Sequence, residues 1–274
     1  MKKLLGFSIF LVFVLIASLT AEAKVTLPAI FSDNMVLQQN TQVNVWGKAA
    51  PGEKVTVKAS WLDKAVTAKA AANGKWTVKL KTPKATTNQS VTVSGENEIT
   101  INNILIGEVW LCTGQSNMEF PVSRHPDVKW NTGMLNEAEE LKDADYPEIR
   151  LFHVKHQLAH EGELDDCEGE WLVCNPKNLY DFSAVGFVFG RKLYKELKMP
   201  VGLIQSTWGG THAESWTKLD VMKKNPLYAD VLKDFALEGV KQQKNYCKVP
   251  ATLWNGMIPV SYTHLRAHET SQDL

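Results

Sequence analysis

"ILIGEVWLCTGQSNMEF", Ile104 to Phe120, passes from a nearly continuous apolar run into a polar turn. An apolar stretch of this length, bounded by turn residues, reads as a strand covered on both faces, as in a parallel sheet. Thr113 and Gly114 make the turn, and Ser116 follows at the start of the next element. In an α/β sheet, ligands collect at the carboxyl ends of strands, where loops feed helix N-termini. Glycine lets the chain turn sharply there and approach a ligand closely. Two roles fit Ser116. It is either a helix cap or a nucleophile beside free backbone N–H groups that stabilise an oxyanion.

Downstream, "FSAVGFVFGRKLYKEL" places Phe182, Val185, Phe189, Leu193 and Leu197 at helical spacing, and Met199-Pro200 ends that helix. "VGLIQS" then reads as a second buried strand, leading into "TWGGTHAESW". Strand, helix and buried strand together predict an α/β domain with a parallel sheet. Gly209 and Gly210 turn the chain at the second strand end. With no side chain in the way, a backbone N–H there can reach a neighbouring strand end, which suits either an oxyanion donor or a plain loop. "NPLYADVLKDFALEGV" predicts a further amphipathic helix, opened by Asn225-Pro226. The polar region from Ser123 to Cys167 reads as loops around the site.

Upstream, residues 24–103 alternate with period two. "QVNVWG", "KVTVKA", "KWTVKL" and "SVTVSG" are separated by Pro51-Gly52, Asn73-Gly74 and Gly95-Glu96-Asn97. Short alternating strands at this spacing predict a small β-sandwich. Trp46, Trp61 and Trp76 on these strands are core residues or sugar-stacking platforms, with core the commoner use.

Lys2 and Lys3, the apolar stretch Leu4 to Leu19 and Ala21-Glu22-Ala23 have the order of a secretory signal peptide, cleaved after Ala23. This predicts a secreted or periplasmic protein with no membrane contact after cleavage. Lys+Arg and Asp+Glu both total 30, so there is no whole-chain basic field to grip nucleic acid. Cys167 and Cys174 are spaced to close a short disulfide loop, Cys112 reads as a small buried hydrophobe, and Cys247 is the fourth. No Cys-x-x-Cys pair points to zinc.

"GEVWLCTGQSNMEFPV", "FSAVGFVFGRKLYKEL", "PVGLIQSTWGGTHAESW" and "ATLWNGMI", with the earlier "LPAIFSDNMVLQQ", resemble the sialate O-acetylesterase family of SGNH-type serine hydrolases. The likeness runs from about Val25 to Ile258. It implies a flavodoxin-like α/β domain, hydrolysis of O-acetyl esters on sugars with Ser116 as nucleophile, and no metal or organic cofactor. It also implies an oxyanion donor in the loop of Trp208, Gly209 and Gly210, with Gly209 preferred. Gln115, Asn117, Trp208 and His212 are the candidate substrate-binding positions. Sialic acids are the expected sugar, with acetylated xylan as an alternative and a non-catalytic sugar-binding protein as a rival of another class.

The family also carries a late Asp-x-x-His segment with the catalytic base and a Gln-Gly-Glu segment at the oxyanion site. Neither occurs in this sequence. "VSYTHLRAHET", Val260 to Thr270, resembles a translated library adapter. The reading is therefore a chain truncated before its last catalytic segment, with little turnover of its own. Residues 104–259 are the first part of the esterase domain and 260–274 a non-native tail. The competing reading takes His264 and His268, four residues apart, as a functional pair on one helical face. Of the remaining histidines, His125, His153, His156, His160 and His212, the trio His153, His156 and His160 alternates like a strand and reads as solvated surface rather than a metal cluster.

Overall fold

Alternation of apolar and polar residues builds the N-terminal strands of the computed structural model, which describes residues 24–124, 133–238 and 249–259. The predicted signal peptide, His125, Cys247 and the tail with His264 and His268 lie outside the described residues. The strands begin with β1 (Val36–Gln38), β2 (Gln42–Lys48), β3 (Lys54–Ala59), β4 (Val66–Lys69), β5 (Lys75–Lys81) and β6 (Thr86–Ser94). Val43 and Val45, Val55 and Val57, Trp76, Val78 and Leu80, and Val91 and Val93 all point inward and join one hydrophobic cluster. Each such side chain contributes roughly 1.5–3 kcal/mol by leaving water. Trp76 is core, and Trp46 and Trp61 pack half-buried against the same cluster. At the Asn73-Gly74 turn, Gly74 takes φ +77° while Asn73 Oδ1 accepts the N–H of Lys75 at 3.1 Å.

β7 (Glu98–Gly114) runs for 17 residues. It leaves β6 antiparallel and continues beside a parallel partner, so the expected boundary between residues 103 and 104 falls within one strand. β8 (Tyr146–His153), β9 (Trp171–Cys174) and β10 (Val201–Thr207) complete the strands. The large sheet has the order β4-β3-β6-β7-β10-β8-β9, with β1 also beside β7, while β2 and β5 pair separately. β7, β10 and β8 are mutually parallel, and all seven residues of β10 are buried. The fold is mixed α/β.

The helices are α1 (Ser116–Glu119), α2 (Glu137–Lys142), α3 (Pro176–Leu179), α4 (Ala184–Leu197), α5 (Leu219–Lys224), α6 (Ala229–Glu238) and α7 (Thr252–Met257). Ser183 caps α4 by accepting the N–H of Gly186 at 3.0 Å. Asn225 opens a 3₁₀ turn, Pro226–Tyr228, that leads into α6. Among the described residues no helix is long and apolar enough to cross a membrane.

Three expectations are corrected. The polar stretch from Ser123 to Cys167 holds α2 and the internal strand β8 as well as loops. Arg150 of β8 is buried, and its guanidinium donates to Pro147 O, to the backbone and side-chain oxygens of Asn34, and to those of Asn103. Cys167 and Cys174 are free thiols in separate core clusters, and burial pushes both up to about 12. On α4, Val185, Phe189 and Leu197 are exposed, while Ala184, Gly186, Phe187 and Gly190 face the sheet.

Candidate active site

Two parallel strand ends create the site. Thr207 of β10 is in register with Gly114 of β7, and the next residue, Trp208, donates its N–H to Gly114 O at 3.1 Å. Buried Gln205 braces this corner. It accepts the N–H of Ser183 at 2.7 Å and donates to Thr207 Oγ1 at 3.0 Å. Gly114, at φ +148°, makes the turn out of β7, where an added Cβ would lie 3.3 Å from Met118 Cβ.

Ser116 is exposed and is the first residue of α1. The N-cap position belongs to Gln115, whose side chain makes no capping bond. The cap role is therefore not what places a serine at position 116. Gln115 and Asn117 are exposed beside it.

Gly209 faces this helix. A Cβ built on Gly209 would sit 3.1 Å from Ser116 Oγ and 2.7 Å from Glu119 Oε2, so a side chain here would push the Glu119 carboxylate aside. Gly210 follows at φ +73°, and Thr211 Oγ1 closes the loop by donating to Trp208 O at 2.7 Å. His212 is exposed and heads the 3₁₀ turn Ala213–Trp216. Ser116 and Gly209 thus come together, with Trp208 bonded to Gly114 at the same corner; Gln115 and Asn117 flank the serine, and Gly210 and His212 follow in the second loop.

Two further side chains enter that the sequence reading did not place there. Glu119 Oε2 accepts the Gly209 N–H at 2.5 Å. Glu119 Oε1 lies 2.8 Å from His156 Nε2, which is also 3.0 Å from Thr207 O. Both partners of Nε2 are acceptors, so this nitrogen carries the proton and donates to them. The imidazole lies flat on Trp208, with ring centroids 4.0 Å apart and an interplanar angle of 4°. Burial pushes the Glu119 carboxyl upward, but the hydrogen bonds from His156 and Gly209 outweigh it and hold the pKa below the ordinary value. His153 closes β8 nearby. The residue keeps exposed surface, yet burial first and His156 second hold its pKa below the usual imidazole value.

The strand alternation read through His153, His156 and His160 stops at His153, because β8 ends there. His156 sits in the following loop and turns back over the site. Its signal was the apolar "LF" before His153, which marks the end of a buried strand. Glu119 had a signal too, three residues after Ser116 on one turn of helix. Among the described residues, no group of three or more His, Cys, Asp or Glu side chains is arranged to hold a metal.

A family model for carbohydrate esterases described as sialic acid-specific acetylesterases matches residues 106–256, more than half of the chain. The chain belongs to that family. Ser116, Glu119, His156 and the loop from Trp208 to Gly210 all fall inside the match. Sialate O-acetylesterase of Mus musculus is 32% identical over 215 residues, which cover 71% of this chain and 38% of the mouse protein. The human sialate O-acetylesterase is 31% identical over 205 residues, 68% of this chain and 37% of that protein. The chain therefore spans well under half the length of these relatives. A crystal structure described as a carbohydrate acetylesterase from Xanthomonas citri is similar over 86% of this chain and 48% of its own, with 29% identity and a TM-score of 0.68.

Proposed function

We propose that this chain carries the nucleophile of an acetylesterase that removes O-acetyl groups from sugars, sialic acids foremost. The observation that carries the reading is the approach of Ser116 to Gly209, where a Cβ built on the glycine would lie 3.1 Å from the serine Oγ.

In this reading Ser116 Oγ attacks the acetyl carbonyl, and the carbonyl oxygen becomes an oxyanion that accepts the Gly209 N–H. Collapse expels the sugar hydroxyl and leaves acetyl on the serine; water then releases acetate. A general base must take the serine proton. No described histidine hydrogen-bonds Ser116 Oγ, and His156 Nε2 is committed to Glu119 and Thr207. The base expected from the family resemblance, in an Asp-x-x-His segment, is not in this sequence. The proposal extends to an SGNH-type arrangement of the α/β part behind an N-terminal β-sandwich, and to a secreted or periplasmic setting.

Acetylated xylan is the second substrate reading, since the residues brought together position an ester and not a particular sugar. Acetate release from O-acetylated sialic acid and from acetylated xylan tests both. We expect slow release, faster from the sialic acid, and none from Ser116→Ala. Release unchanged in that variant rejects the nucleophile, and release from xylan alone rejects the sialate preference.

A further inference from the structure

The donor that this reading assigns to the oxyanion already has an acceptor. Glu119 Oε2 takes the Gly209 N–H at 2.5 Å, beside Ser116 Oγ, while Oε1 is held by His156 Nε2 at 2.8 Å. A carboxylate oxygen and a tetrahedral oxyanion make the same demand on that N–H. They cannot both accept it along one direction, and two negative charges so close repel each other.

We infer that Glu119 is a built-in occupant of the oxyanion position. In the empty chain the carboxylate fills the place of the substrate's carbonyl oxygen. An ester gains the Gly209 N–H only when Oε2 swings off, with Oε1 still on His156. The inference rests on the roles given above to Ser116 and Gly209.

The geometry favours a displaceable occupant over a fixed tie. The hold on Glu119 has one backbone bond and one bond to a histidine whose side chain is 39% exposed. The carboxylate itself keeps 19% of its side-chain surface in contact with solvent, so it has an outlet. The absence of a side chain at position 209 lets an oxygen from the α1 side reach the Gly209 N–H, as Glu119 Oε2 does.

Methylboronic acid is a suitable probe. Ser116 Oγ adds to its trigonal boron, the hydroxyl proton goes to water, and the resulting tetrahedral anion presents an oxygen to Gly209. Binding to the full 274-residue chain is followed by the ¹⁵N–¹H signal of Gly209. An occupant present about nine-tenths of the time weakens apparent affinity about tenfold. Glu119→Ala is therefore expected to bind the probe about tenfold more tightly than the unaltered chain. Glu119→Gln, which keeps an acceptor without the charge, is expected to fall between them, and its amide spectrum controls for folding. Equal or weaker binding in both variants, with binding still lost in Ser116→Ala, overturns the inference and leaves the nucleophile reading standing. Binding that ignores Ser116→Ala, or no binding to any of the four proteins, removes the nucleophile reading and the inference with it.

Discussion

The imidazole of His156 lies face to face with the indole of Trp208, 4.0 Å between centroids. The contact joins the loop after β8 to the loop after β10, two chain segments that share no regular structure at that point. Aromatic pairs of this kind contribute about 0.5–1.5 kcal/mol beyond buried area. A double-mutant cycle on His156→Ala and Trp208→Ala, read by urea unfolding, is expected to give a coupling near 1 kcal/mol. His156→Phe is expected to keep most of it while losing the bond to Glu119. Additive effects of the two alanine changes would contradict the stack.

His153 and Glu119 shape the acid side of the stability curve. Burial holds His153 below its unfolded value of about 6.5, so its contribution is complete above that pH and is lost as pH falls toward the depressed folded value. Glu119 is depressed by its bonds to His156 and Gly209 in spite of burial. Its contribution is complete above about pH 4.3 and is lost as pH falls through the lower folded value. Unfolding free energies from pH 8 to pH 3 are expected to fall in two steps. His153→Gln is expected to shrink the upper step and Glu119→Gln to reduce the lower, which Glu140 and Glu163, also held below the ordinary carboxyl value by Arg191 and Lys218, share. Curves unaltered by either change would show that these groups are not held as described.

Arg150 ties β8 to the N-terminal strands through Asn34 and Asn103, whose left-handed backbones, at φ 69° and 54°, turn their oxygens toward it. Hydrogen bonds to a charged group contribute about 1.5–3 kcal/mol each, partly offset by the desolvation of the guanidinium. Arg150→Met is expected to cost about 2–4 kcal/mol in a denaturant titration. A change under about 0.5 kcal/mol, the usual span for a surface site, would mean that the tie carries no stability.

Phe187 and Phe189 stand two residues apart on α4 and face opposite ways. Phe187 is 0% exposed and Phe189 is 40% exposed against Trp110. Phe187→Ala is expected to cost about 3–5 kcal/mol and Phe189→Ala under about 1 kcal/mol, measured by urea unfolding. The reverse order would place the helix the other way round on the sheet.

These residues show where sequence is informative. β10 was legible because every side chain in "VGLIQST" is buried, so composition alone marks it. The alternating N-terminal strands were legible for the matching reason: one face of each meets the core. β8 was not, since Pro147, Glu148 and Arg150 break its apolar run, and the oxygens that satisfy Arg150 come from Asn34 and Asn103, far away in sequence. On α4, small residues let the helix approach β10. A Cβ on Gly190 would lie 2.5 Å from Leu203 Cδ1, and an apolar-stripe reading gives glycine no weight. Ser116 and Gly209 were legible as strand ends. Glu119 and His156 were not, because their meeting depends on β8 lying beside β10.

The claim on which the account turns is that Ser116 Oγ accepts an acyl group. p-Nitrophenyl acetate has a leaving group that needs little acid–base help, so acylation is expected to outrun deacylation. Acid-quenched samples, digested and mapped by mass spectrometry, are expected to carry acetyl on the peptide at Ser116 in near-stoichiometric amount and none at that peptide in Ser116→Ala. Acetyl found mainly on another residue, or an unmodified Ser116 while acetate is released, would contradict the account.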